Sequence, residues 1–105
     1  MFGLVVRFDL LDEDAAEGFD RLVSETVPQI EASEPGTLVY AVHTVNDAPL
    51  SRVFYELYAD REAFEAHESQ EHTKRFLAER ERYLAGVRVE FLSPTNAKGV
   101  PFDGH

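Results

Sequence analysis

Phe2-Gly3-Leu4-Val5-Val6-Arg7-Phe8-Asp9-Leu10 sets Phe2, Leu4, Val6, Phe8 and Leu10 in alternation with Gly3, Val5, Arg7 and Asp9. A period of two sends successive side chains to opposite faces, so the stretch reads as a strand with one strongly apolar face. That face needs cover. The following segment supplies it, because Phe19, Leu22, Val23, Thr26, Val27 and Ile30 recur at helical spacing. Asp14 with Glu17 three residues later resembles a capping box and starts this helix near Ala15. Pro28 has no N–H for an i to i−4 bond, so the helix is expected to kink or end there, ahead of a turn at Glu34-Pro35-Gly36.

Thr37 to Asn46 and Ser51 to Tyr58 are rich in Val, Tyr, Thr and Phe and read as two strands joined through Asp47-Ala48-Pro49-Leu50. Asp60 can cap a short helix running to about His67, and Ser69 a second segment carrying Phe76, Leu77, Tyr83 and Leu84. Val87, Val89 and Phe91 alternate with Arg88, Glu90 and Leu92 in a fourth strand that Pro94 stops. The order is β-α-β-β-α-β, the α+β, ferredoxin-like arrangement in which helices cover one face of a four-stranded antiparallel sheet. Residues 1–94 form the domain and 95–105 an irregular tail, in which Val100-Pro101-Phe102 is apolar enough to latch onto a partner.

The third strand raises a question about the uncovered face. Val53, Tyr55 and Leu57 alternate with Arg52, Phe54, Glu56 and Tyr58, so neither side is purely polar. A water-facing sheet would alternate more cleanly. The expectation is a homodimer in which the helix-free face buries Phe54 or Tyr58 against a second sheet, with Arg7, Glu56, Arg88 and Glu90 pairing inside the interface.

At 105 residues the chain suits one domain. Ten Lys and Arg against twenty Asp and Glu give a formal charge of −10, which repels nucleic acid and anionic membrane over most of the surface. The chain has no cysteine, so neither disulfides nor thiolate metal sites contribute. The first residues lack the basic and apolar regions of a signal peptide, and no apolar run approaches the ~18 residues of a membrane span. A cytoplasmic location is expected.

Glu34-Pro35-Gly36-Thr37-Leu38-Val39-Tyr40, Phe54-Tyr55-Glu56-Leu57-Tyr58-Ala59-Asp60, Ala63-Phe64-Glu65-Ala66-His67 and His72 together resemble the antibiotic biosynthesis monooxygenase family over roughly residues 2 to 92. The resemblance implies a dimeric α/β barrel and, for several members, cofactor-independent oxidation of quinols or phenolic polyketides by molecular oxygen. It also implies functional spread, since similar proteins degrade haem, isomerise small metabolites or have no established activity.

Cofactor-free oxygenation needs a base to form an electron-rich phenolate, an apolar pocket and donors for the developing anion. Histidine suits the first task. His67 ends one helical segment and His72 begins the next; on a continuous helix they would diverge by about 140°, so only a break near Glu68-Ser69 lets both face one cavity. Alternatively, His67 closes its helix against the terminal carbonyls and His72 is solvated. Glu56, mid-strand, either orients a histidine or substrate hydroxyl or forms an ion pair with Arg7 or Arg88. Tyr40 and Tyr55 are candidates to line a pocket for a planar aromatic substrate, with Phe64, Phe76 and Phe91 in its walls or in the core. Arg80, on the apolar stripe of its helix, either snorkels outward or reaches an anionic ligand. His43 and His105 read as solvated.

Other chemistries lack support. There is no phosphate loop, dinucleotide fingerprint or HExxH, and the acidic residues are too scattered to define a metal site. Haem degradation is disfavoured because the chain lacks Trp and Phe76-Leu77-Ala78 occupies the region of the axial histidine that this branch of the family implies. The leading reading is therefore a cofactor-independent monooxygenase, with no metal or cofactor, acting on a small quinol or phenol through His67 or His72. The rivals are a non-catalytic dimeric metabolite-binding or stress-associated module and an isomerase of a phosphorylated hydroxyketone.

Overall fold

The alternation of residues 2–10 is realised as β1 (Phe2–Leu10), the second strand from one edge of a four-stranded antiparallel sheet. The computed structural model describes residues 1–99. Helix α1 (Glu13–Ser33) follows, then β2 (Thr37–Val45), β3 (Ala48–Tyr58), α2 (Arg61–Ser69), α3 (Glu71–Glu79), a 3-10 turn (Arg80–Tyr83) and β4 (Leu84–Leu92). The strand order β2-β3-β1-β4 and the helices on one face make the ferredoxin-like α+β fold. Among the described residues no helix is long and apolar enough to cross a membrane.

Leu4, Val6 and Phe8 point at the helices and pair with Glu56, Phe54 and Arg52 of β3. Phe8, Phe19 from α1, Phe54 and Phe76 from α3 form the aromatic centre, with ring centroids 4.7 Å apart for Phe8–Phe54 and 5.0 Å for Phe8–Phe19. Burying each such ring is worth about 1.5–3 kcal/mol. Gly18 lets α1 approach the 3-10 turn, because a β-carbon there would lie 2.4 Å from the Tyr83 ring.

The register inverts the expected faces of β3. Phe54 and Tyr58 are fully buried in the chain's own core, so they cannot be interface residues on the helix-free side. Val5, Arg7, Val53, Arg88 and Glu90 line a shallow depression on that side instead. Arg7 bonds Ser51 and approaches Asp9 at 3.4 Å, while Arg88 reaches Glu90 at 2.6 Å. Glu56 is not among these charges, which overturns its expected pairing with Arg7 or Arg88.

Several boundaries also moved. Asp12, not Asp14, caps α1 by accepting from the Ala15 N–H. The helix runs through Pro28, which lies on its exposed side where solvent can serve the carbonyl left without a partner. The β2–β3 connection is a tight turn at Asn46-Asp47, with Asp47 in the left-handed region at φ 67°, so Ala48-Pro49-Leu50 belong to β3. Gln70 rather than Ser69 precedes α3, and Leu84 starts β4 instead of ending a helix. Val100-Pro101-Phe102 and His105 lie outside the described residues.

Candidate functional site

Along β3 the helix-facing positions change character within four residues. Phe54 belongs to the aromatic centre, Glu56 is 6% exposed and Tyr58 0%. A carboxylate buried there needs partners. The Tyr58 hydroxyl donates to Glu56 Oε1 at 2.5 Å. Burial nevertheless pushes the Glu56 carboxyl up to about 7, more than the Tyr58 hydrogen bond lowers it. The Tyr40 and Tyr58 phenols are also raised, chiefly by burial and then by the nearby Glu56 charge, so both remain protonated donors.

Glu34 is the centre of a second cluster. It terminates α1, where a negative side chain opposes the helix dipole unless something engages it. Its side chain is 3% exposed and meets three donors. Thr37 Oγ1 donates to Oε1 at 2.7 Å, His67 Nδ1 meets the same oxygen at 2.7 Å, and His72 Nε2 meets Oε2. A carboxylate only accepts, so both ring nitrogens facing it carry hydrogen. In the neutral ring that leaves Nε2 bare, 4.0 Å from Glu56 Oε1 and too far to be consumed by it.

Local structure explains how two histidines five residues apart reach one carboxylate. Asp60 accepts from the Ala63 N–H and starts α2; Gln70, extended at φ −68° and ψ 144°, breaks the path before α3 turns back. His67 and His72 therefore approach Glu34 from different helices. The Glu34-Pro35-Gly36 turn must lie close to α2, and a β-carbon on Gly36 would come within 2.6 Å of the Ala63 methyl. Glycine is needed here for close approach.

A cavity of about 150 Å³ opens beside His67. Leu4, Val6, Phe8, Phe54, Phe64, Phe76 and Leu77 make it apolar; Tyr40, Glu56, His67, Glu68, Thr73 and Arg80 bring polar atoms to it, and Val89 and Phe91 stand at the exposed β4 edge. Of the residues singled out in the sequence, His67, Glu56, Tyr40, Phe64, Phe76, Phe91 and Arg80 thus meet in one place. His72 does not line the cavity and acts on it only through Glu34. Tyr55 is on the other face, in register with Val5 and Ala41, and is not a pocket residue. Neither histidine is solvated, since they are 5% and 9% exposed. His43 is exposed, with Nδ1 3.0 Å from the Val53 carbonyl.

The sequence reading missed Glu34, Thr37 and Thr73. The available signal was an acidic residue at the wrong end of a helix dipole. Chemically, the site offers an oriented imidazole nitrogen, a carboxyl that titrates near neutrality and phenolic donors around a largely apolar cavity. Among the described residues no group of three or more His, Asp or Glu side chains is disposed to hold a metal ion.

Residues 1–79 match the profile of the antibiotic biosynthesis monooxygenase family. The chain belongs to this family. Solved structures agree on the fold. A Caulobacter crescentus protein given the same family's name is 24% identical, with 90% of each chain covered and a TM-score of 0.84. Rv0793 of Mycobacterium tuberculosis is 23% identical over 91% of this chain and 96% of its own, at a TM-score of 0.82. PA3566 of Pseudomonas aeruginosa is 25% identical over 89% and 92%, at 0.79. No curated protein matches.

Proposed function

We propose that this antibiotic biosynthesis monooxygenase family member is a cofactor-independent monooxygenase that oxidises a small quinol or phenol with molecular oxygen. The observation that carries the reading is the Glu34 contact to His67 Nδ1, which leaves Nε2 as a free acceptor on an apolar cavity. A largely apolar cavity of about 150 Å³ takes one benzene-sized ring, which favours a single-ring substrate over a fused polyketide.

In the proposed reaction His67 Nε2 takes the hydroxyl proton, and Glu34 stabilises the imidazolium through the bond it already makes. The resulting phenolate is electron-rich enough to reduce oxygen. A quinol supplies all four electrons itself: one oxygen atom enters the ring, the other leaves as water, and the product is a hydroxyquinone. The carboxyl of Glu56, titrating near 7, can return a proton to the departing oxygen. Glu34 and His72 are positioning residues in this scheme.

Assembly belongs to the same proposal. Val53 and Tyr55 are only partly covered on the helix-free face, so a homodimer through that face would bury them; light scattering at micromolar concentration tests it. For the chemistry, oxygen uptake is measured with a panel of quinols and anthrone-like phenols, without added flavin or metal, and with product analysis. One oxygen consumed per hydroxyquinone formed is the expected result. Absence of uptake across the panel contradicts the reading, and solvent-proton exchange without uptake would favour the isomerase instead.

A further inference from the structure

Arg80 Nε is buried and, among the described residues, is the only buried side-chain nitrogen or oxygen without a hydrogen-bond partner. The guanidinium is permanently charged and carries five N–H groups, so an unmet, sequestered donor is costly. Its carboxylate neighbour, Glu81, is 3.9 Å away, too far for a hydrogen bond, and is itself 70% exposed. Other arginines in the fold are satisfied: Arg52 forks onto Asp20 with bonds of 2.9 and 3.0 Å.

Position adds a second argument. The Arg80 head lies 5.4 Å from the Phe8 ring centroid and 6.0 Å from that of Phe76, and the side chain is 20% exposed. A snorkelling arginine would carry its polar head outward into solvent. Here Nε is withdrawn from solvent, and Arg80 is part of the wall of the cavity that His67 and Glu56 also line. The other charged groups on that cavity are Glu56 and Glu68, and neither is hydrogen-bonded to Arg80. The remaining wall is mostly apolar, which suits one anionic oxygen on a ring better than a heavily hydrated dianion.

We propose that Arg80 is an anion subsite, and that the ligand of this cavity is a single-ring aromatic whose ionised oxygen, carboxylate or phenolate, accepts from the Arg80 guanidinium. The ring lies against Phe64, Phe76 and Leu77. The inference rests on the proposed oxygenation only in assigning the reacting hydroxyl to His67; the charge preference itself is independent of turnover.

The full chain is titrated by NMR with 4-hydroxybenzoate and with 4-hydroxybenzyl alcohol, which differ in the ionised group. The carboxylate is expected to bind about tenfold more tightly or better, as a charge-assisted hydrogen bond requires. Arg80→Met keeps an apolar stem over Phe8 and Phe76, and should bring the two affinities together while leaving that of the alcohol unchanged. Arg80→Lys restores part of the preference. 4-Nitrophenol, titrated through its own ionisation, separates the sources: tightening on ionisation in the native chain but not in Arg80→Met assigns a phenolate oxygen, and a preference confined to the benzoate assigns a carboxylate. No tightening with either the benzoate or the ionised nitrophenol in the native chain, a preference that survives Arg80→Met, or no binding of any probe overturns the subsite. Because binding is read without oxygen, failure of oxygen uptake and failure of the charge preference are separate results.

Discussion

At one end of the layer between helices and sheet, Phe8, Phe19, Phe54 and Phe76 pack ring against ring; at the other, Glu34, Glu56, Tyr58, His67 and His72 occupy equally buried positions with groups that titrate or hydrogen-bond. The two ends share strand β3, and only Tyr55 separates Phe54 from Glu56. Apolar packing is non-directional, so a change at the first end is felt through lost volume. A buried carboxylate is held by particular donors, and a change at the second end is felt through the partner left behind. The polar end is therefore the part of the core that packing alone does not explain, and the cavity lies where the two ends meet, with Phe8, Phe54 and Phe76 from one and Glu56 and His67 from the other in its wall.

Substitution should expose that contrast most strongly at His67. His67→Ala is expected to lower kcat/KM for an accepted quinol by about 10²- to 10⁴-fold, whereas His72→Ala, which touches the reaction only through Glu34, should cost far less. The His67 variant also strips Glu34 of a donor, so its stability should fall by about 1–3 kcal/mol and rates must be compared where both proteins are folded. Equal kinetic losses in the two variants would erase the distinction between proton acceptor and positioning residue.

Phe54→Ala probes the other end. It should destabilise the fold by about 3–5 kcal/mol in denaturant titration while leaving the pH dependence of stability unaltered. A changed pH dependence would mean that the aromatic and polar ends are coupled through more than shared packing.

Glu56 sharpens the comparison through pH. Its carboxyl titrates at about 7 in the fold against an ordinary 4.5. Between those values the folded chain holds more protons than the unfolded one, so the contribution of Glu56 makes stability fall as pH rises from 4.5 to 7 and level off above. At about 1.4 kcal/mol per pH unit, the full effect is on the order of 3 kcal/mol. Relative to the native chain, Glu56→Gln should gain thermal stability progressively across that window. A difference in Tm that does not vary with pH would contradict the effect of burial.

The smallest effect is expected at Tyr55. It sits on the helix-free face, so Tyr55→Phe should leave oxygen uptake unchanged and shift the stability of the folded chain by no more than about 0.5 kcal/mol. Loss of activity in this variant would place a functional group on the wrong side of the sheet.

The element order was legible because β1 alternates cleanly and α1 carries a continuous apolar stripe. The faces of β3 were not, since Val53, Tyr55 and Leu57 look as core-like as Phe54 and Tyr58; only pairing with β1, Val6 opposite Phe54, decides between them. Pro28 misled for a related reason, because its exposed position in α1 is a property of packing and not of the residue. Within the site, His67, Glu56, Tyr40, Phe64, Phe76 and Arg80 could be singled out one by one. Their convergence depends on Glu34, which as part of a Glu-Pro-Gly turn carried no mark of burial beyond its unfavourable place at a helix end. Thr37 and Thr73 had no signal at all, because hydroxyls that complete a buried network resemble any strand or helix threonine.

Whether Glu34 fixes His67 with its bare nitrogen toward the cavity is read directly by long-range proton–nitrogen NMR of the labelled imidazoles, which reports the tautomer of each neutral ring. The expected result is His67 protonated at Nδ1 with Nε2 bare, His72 protonated at Nε2, and loss of the His67 preference in Glu34→Ala. His67 protonated at Nε2 with Nδ1 bare would contradict it, because the ring would then have no acceptor to offer a substrate hydroxyl.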